Sequence, residues 1–187
     1  MRICVYAGSN HGANPAYAEA AADLARLLAG RGIGIVYGGG KVGLMGVVAD
    51  AGLEAGGEVI GVMPQALIDR EVGHDGLTEL RVVGSMHERK ALMAELSDGF
   101  VALPGGAGTL EELIEIYTWS QLGIHAKPMG VLNVDGYYDA LAALLDHAVA
   151  EGFLRREHRA AMHAEVTPEA LLQRFEGWRP ATVGKWL

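Results

Sequence analysis

Phe100-Val101-Ala102-Leu103-Pro104-Gly105-Gly106-Ala107-Gly108-Thr109-Leu110-Glu111-Glu112 reads as a buried strand, a glycine turn and the opening of a helix. Four apolar residues run into Pro104, which has no N–H to donate to a ladder and so ends the strand. Gly105, Gly106 and Gly108 let backbone N–H groups approach a bound group with no Cβ in the way. Thr109 is placed to cap the following helix or to hydrogen-bond an oxyanion. These parts describe an anion cradle at a helix N-terminus. A strained turn before a helix with acids in its first turn has the same composition, and the rest of the chain decides between them.

Outward from this stretch, strand and helix alternate. Strands are predicted at Arg2–Tyr6, Ile33–Tyr37, Glu58–Met63, Leu80–Val83, Phe100–Leu103, Met129–Asn133 and Met162–Val166. Helices are predicted at Ala16–Ala29, Leu44–Ala55, Met86–Leu96, from the glycine turn to about Leu122, Tyr137–Glu151, and from Pro168 to Gly177. Ser85-Met86-His87-Glu88 is a capping box, and Thr167-Pro168 is a cap followed by proline at the first helical position. Gln65–Leu77 reads as an irregular charged segment of the kind that walls a binding site. The strands are continuous apolar runs, which indicates a parallel sheet covered on both faces. The expected fold is an open, Rossmann-like α/β sheet, with 1–177 as one domain and 178–187 as a tail. Ligands of such sheets bind beyond the C-terminal strand ends, where Gly8 and Ser9, Gly38–Gly43, Pro64, Ser85 and Pro104–Thr109 all fall.

The chain has 187 residues, a formal charge of −8 and one cysteine. The acidic balance argues against a nucleic-acid partner, which needs many Lys and Arg to neutralise phosphates. A lone cysteine, Cys4 in mid-strand, excludes internal disulfides and cysteine-rich zinc sites. The seven histidines show no metal spacing, and no serine-hydrolase elbow occurs. No apolar run is long enough for a membrane span and no signal peptide is evident, so a cytosolic protein without membrane contact is expected.

Gly38–Gly43 matches G-x-G-x-x-G, but it follows the second strand, and the nearby acid Glu58 lies at the wrong end of the third to meet a ribose. It is also not a P-loop, because Val42 follows Lys41. A ligand-facing glycine turn is preferred to dinucleotide binding, with a purely structural turn as the next reading. Arg89 and Lys90 lie early in the helix capped by Ser85, an unfavourable place for cations of ~0.3–1 kcal/mol each unless an anion sits nearby. Leu110, Leu113, Ile114 and Tyr117 form a helical stripe expected to be buried, and Glu112 points away from it, towards the crevice. A carboxylate repels a phosphate, so Glu112 is better matched to a developing sugar cation. Glu111 is expected to be a first-turn stabiliser.

The paired motifs Pro104–Glu112 (P-G-G-x-G-T-x-x-E) and Met86–Lys90 (M-H-x-R-K), with Tyr37–Gly46, Met63-Pro64 and Leu132–Tyr138, resemble the Lonely Guy (LOG) family, long labelled lysine decarboxylases. The resemblance covers nearly the whole chain to about Gly177. It implies hydrolysis of the N-glycosidic bond of a nucleoside 5′-monophosphate to free base and ribose 5-phosphate, without metal or cofactor. Arg89 and Glu112 would be the catalytic pair. Gly105, Gly106, Ala107, Gly108 and Thr109 would hold the phosphate, with Lys90, Glu71 and Thr118 also lining the site, close to the contact between two subunits of a homodimer. Plant members often have Tyr at the position of Ala107 and Cys at that of Ala7, so the preferred base is left open. A second reading is a carrier of a nucleotide or pterin that uses the crevice without turnover and does not need both Arg89 and Glu112. A decarboxylase would need pyridoxal phosphate on Lys41, Lys90 or Lys127.

Overall fold

The computed structural model describes residues 1–69 and 73–180. Strand β1 (Arg2–Tyr6) leads to helix α1 (Ala16–Gly30), β2 (Gly34–Tyr37), α2 (Gly43–Glu54) and β3 (Val59–Pro64). A one-turn helix α3 (Gln65–Ile68) precedes β4 (Glu79–Val83), α4 (Met86–Leu96), β5 (Gly99–Ala102) and α5 (Ala107–Gln121). Then come β6 (Met129–Leu132), a 3₁₀ turn (Val134–Gly136), α6 (Asp139–Ala150), α7 (Arg156–Ala161), β7 (Met162–Glu165) and α8 (Pro168–Glu176).

All seven strands are parallel, in the order β4-β3-β2-β1-β5-β6-β7. In the central strand, Cys4 lies opposite Val36 on one side and Phe100 on the other. The expected Rossmann-like sheet is therefore what forms. One core packs α1, α2 and α8 on one face through Leu24, Leu28, Val48, Leu171 and Phe175. The other packs α4 and α5 on the opposite face through Met93, Leu113, Ile116 and Tyr117. From β1 the chain steps outward to β4, then crosses beneath the sheet in α4 to place β5 against β1. The helices after β1 and β5 leave on opposite faces, which opens a crevice between the two strand ends.

Three local readings change. The segment expected to be irregular after Pro64 carries α3, and a further short helix, α7, precedes β7. Helix α6 begins at Asp139 rather than Tyr137, because Asp135 has φ 49° and Gly136 φ 74°, a left-handed pair that turns the chain first. Glu58 is confirmed at the far end of its strand, where it pairs with Arg2 at 2.7 Å. Among the described residues, no helix is long and apolar enough to cross a membrane.

Candidate active site

The loops leaving β1 and β5 are bonded together, with the Gly8 N–H donating to the Pro104 carbonyl at 3.2 Å. Helix α2 joins them through Met45 N–H to the Gly8 carbonyl at 3.3 Å. Two adjoining cavities flank this junction. One, about 280 Å³, is lined by Gly8, Ser9, Tyr17, Leu44, Gly105 and Tyr137, among others. The second, about 300 Å³, includes Met45, Met86, Arg89, Ala107, Thr109 and Glu112. Ser9 and Gly106 line both.

Gly106 is the N-cap of α5, and the first helical bond runs from Leu110 N–H to the Gly106 carbonyl at 3.1 Å. The N–H groups of Ala107, Gly108 and Thr109 come before it and have no acceptor within the helix. They carry the positive end of the helix dipole to the cavity wall, a ready anion site. Thr109 does not cap this helix. It is the third helical residue, 4% exposed, and its Oγ1 fills the space a Cβ on Gly105 would need. Gly105 is thus required by close approach, and the loop can fold tightly over the helix start.

Opposite the cradle, the Ser85 hydroxyl accepts from Glu88 N–H at 3.1 Å, and the Glu88 carboxylate accepts from Gly84 N–H at 2.8 Å. This capping box starts α4 and puts Arg89 in its first turn. There the Arg89 Nε donates to the Val62 carbonyl at 3.1 Å, and Nη2 donates to the Gly38 carbonyl at 3.3 Å. Nη1 lies 3.7 Å from Glu112 Oε1, and the two side chains are only 11% and 12% exposed. The strand-end carbonyls hold the guanidinium while its third corner faces the carboxylate. Burial raises the Glu112 carboxyl above its ordinary range; the Arg89 charge offsets part of that effect, and the neighbouring Glu111 adds to it.

Gly38 and Gly40 are buried, and a Cβ on Gly38 would land on the Arg89 guanidinium. The glycine turn expected to face a ligand therefore seats the arginine, at least at Gly38. Gly38→Ala should push the guanidinium out of line and lower kcat by about 10-fold or more, since small misplacements of this kind carry large costs. A thermal midpoint within a few degrees of wild type, measured beside the kinetics, would separate displacement from unfolding.

Helix α5 also corrects the stripe expected from its sequence. Leu113, Ile116 and Tyr117 are buried, but Leu110 and Ile114 are 36% and 38% exposed. Because the helix starts at Ala107, Glu111 and Glu112 sit in its second turn, and no acid lies in the first. Glu111 is not a first-turn stabiliser. With Glu115 it holds Lys90, whose Nζ donates to both carboxylates, at 3.0 Å for Glu115. Burial lowers the Lys90 ammonium pKa, but the two carboxylates outweigh it and the net shift is upward.

The structure thus brings Gly8, Ser9, Gly105, Gly106, Ala107, Gly108, Thr109, Arg89 and Glu112 to one crevice. Lys90 is turned to its two carboxylates. Thr118 lies further along α5 and donates its hydroxyl to the Ile114 carbonyl at 2.8 Å. Glu71 lies outside the described residues, as does Trp186 of the tail. The carbonyls of Gly38 and Val62 and the aromatic wall of Tyr17 and Tyr137 were not picked out from sequence. Gly38 and Tyr137 left signals there, Gly38 as part of the glycine turn and Tyr137 within the Leu132–Tyr138 motif.

A family model described as possible lysine decarboxylase matches residues 45–175. A probable cytokinin riboside 5′-monophosphate phosphoribohydrolase of Oryza sativa subsp. japonica is 52% identical over 179 residues, 96% of this chain and 79% of that protein. A cytokinin riboside 5′-monophosphate phosphoribohydrolase of Arabidopsis thaliana is 48% identical over 183 residues, 98% of this chain and 80% of that protein. The molybdenum cofactor binding protein of the phototrophic bacterium Rippkaea orientalis shares the fold, with a TM-score of 0.70 at 23% identity over 94% of this chain and 95% of that one. With its two motifs meeting across one crevice and half its residues shared with these hydrolases, the chain belongs to the LOG family.

Proposed function

We propose that the protein hydrolyses the N-glycosidic bond of adenosine 5′-monophosphate or an N6-substituted form of it, releasing the free base and ribose 5-phosphate. The observation that carries this reading is the buried Arg89–Glu112 pair, held 3.7 Å apart beside the open N–H groups of α5. The 5′-phosphate occupies the helix N-terminus, where Ala107, Gly108 and Thr109 present donors. This sets the sugar against Glu112. As the bond from C1′ to the base lengthens, positive charge develops on the ring, and the largely buried Glu112 carboxylate stabilises it. Water then adds to C1′, and the departing base takes up a proton. The Arg89 charge offsets part of the burial effect on Glu112, and its guanidinium orients the sugar or the leaving base.

Base release measured chromatographically across AMP, N6-isopentenyl-AMP, GMP and CMP tests the reading. Turnover of the adenine nucleotides supports it; tight binding of AMP with no release of base would favour the carrier reading. A pyridoxal phosphate enzyme finds little support in the lysines. Lys90 is held by two carboxylates, Lys127 Nζ donates to the Ala94 carbonyl at 2.8 Å, and Lys41 lies 4.0 Å from Asp75.

The protein is further proposed to act as a homodimer. Leu110, Ile114 and Leu122 on or just after α5, with Ile124 at 62% exposure, form an apolar face that continues from the helix bearing Glu112. Covering it with a second copy would remove that surface from water at roughly 25 cal/mol per Å². Light scattering after gel filtration should give a dimer mass for wild type and a monomer for Ile114→Lys. A wild-type monomer at micromolar concentration would count against the assignment.

A further inference from the structure

We propose that Tyr137 is a positioning residue for the phosphate cradle, acting through the Gly105 carbonyl; the role rests on the hydrolase reading above. Three consecutive carbonyls of the cradle loop are each held by a different donor. The Tyr138 hydroxyl donates to Leu103 at 2.7 Å, the Gly8 N–H to Pro104 at 3.2 Å, and the Tyr137 hydroxyl to Gly105. The peptide joining Gly105 to Gly106 is planar and trans, so its C=O and N–H point in opposite directions. Anchoring the Gly105 oxygen on Tyr137 therefore aims the Gly106 N–H away from the tyrosine. It becomes a fourth donor in series with Ala107, Gly108 and Thr109. A glycine pair has no side chain to fix this orientation for itself.

The tyrosine is held for the task although it is 39% exposed. Its ring meets Tyr17 edge-on, with centroids 5.6 Å apart, and Tyr138 at 5.1 Å. The turn before it is tied at both ends. Asn14 Nδ2 donates to the Asp135 carboxylate at 2.6 Å, and the Asn133 side chain accepts the Tyr138 N–H at 2.7 Å. Tyr138, at 2% exposure, belongs to the core. Tyr137 instead stands at the cavity edge, where losing a hydroxyl leaves packing unchanged.

The test is Tyr137→Phe in the full-length protein, which keeps the ring contacts and removes only the donor. Calorimetric binding of ribose 5-phosphate should weaken about tenfold, the scale of one hydrogen bond to a charged group. Binding of adenine and the thermal midpoint should stay as in wild type. With AMP, KM should rise by a similar factor while kcat changes little. Equal ribose 5-phosphate affinity in both proteins would overturn the role of Tyr137 alone. Parallel losses for adenine and ribose 5-phosphate with a lowered midpoint would show a merely structural tyrosine. A wild-type protein that binds neither ribose 5-phosphate nor inorganic phosphate would overturn the cradle itself and the hydrolase reading with it.

Discussion

Glu112→Gln should abolish most base release, lowering kcat by about 10²–10⁴-fold while the KM for AMP stays within a few-fold of wild type. In the proposed reading the phosphate sits at the start of α5, so ground-state binding should barely depend on the carboxylate. Charge at C1′ appears only as the bond breaks, and an amide cannot answer it. The same substitution has a signature in stability. Burial raises the folded-state pKa of Glu112 above its value in the unfolded chain, so the folded protein binds that proton more tightly. Between the unfolded value of about 4.3 and the raised folded value, wild-type stability falls as pH rises. The glutamine variant lacks this slope. Urea midpoints at pH 4 and pH 7 should therefore show the variant gaining on wild type at the higher pH. An unchanged kcat would remove Glu112 from the chemistry.

The second large effect is expected at Arg89. Arg89→Ala deletes the cation beside a buried carboxylate and the ligand of two strand-end carbonyls together. We expect kcat to fall by about 10²–10³-fold, comparable to losing one preorganised donor from a closed site. The Arg89 charge now offsets part of the burial effect on Glu112, so its loss should carry the acid limb of the kcat–pH profile to higher pH. Arg89→Lys should recover only part of the activity, because an ammonium cannot span Val62, Gly38 and Glu112 from one planar fork. A profile for the alanine variant that overlays wild type would contradict the pairing.

The strand order and the crevice follow from features that sequence carries openly. Apolar runs closed by Pro64 or Pro104 define strand ends, and Ser85 and Thr167 mark helix starts by side-chain chemistry. What sequence conceals is which side of an apolar helix meets the sheet. Leu110 and Ile114 are as hydrophobic as Leu113, yet they face outward. The true start of α5 was hidden for a related reason, since Gly106 caps it with backbone alone and Thr109 is only the more conspicuous residue. The approach of Arg89 to Glu112 depends on how α4 and α5 lie together, which no spacing within either helix encodes. Tyr137 finds its acceptor on another loop altogether.

The pairing of β1 with β5 sets Ile3 beside Gly99, and this has a kinetic consequence. Closing so long a loop is entropically costly and comes before any reward from the contacts it permits. A nascent chain that has built only β1 to β4 owns Gly8, Gly38 and Val62, but neither the glycine cradle nor Glu112. Under the proposed reading, catalytic competence is thus tied to a long-range step of folding. A fragment ending before β5 has no chemistry to offer, and a lesion in the central strand pair should diminish activity in step with the folded fraction, leaving the properties of each surviving molecule intact.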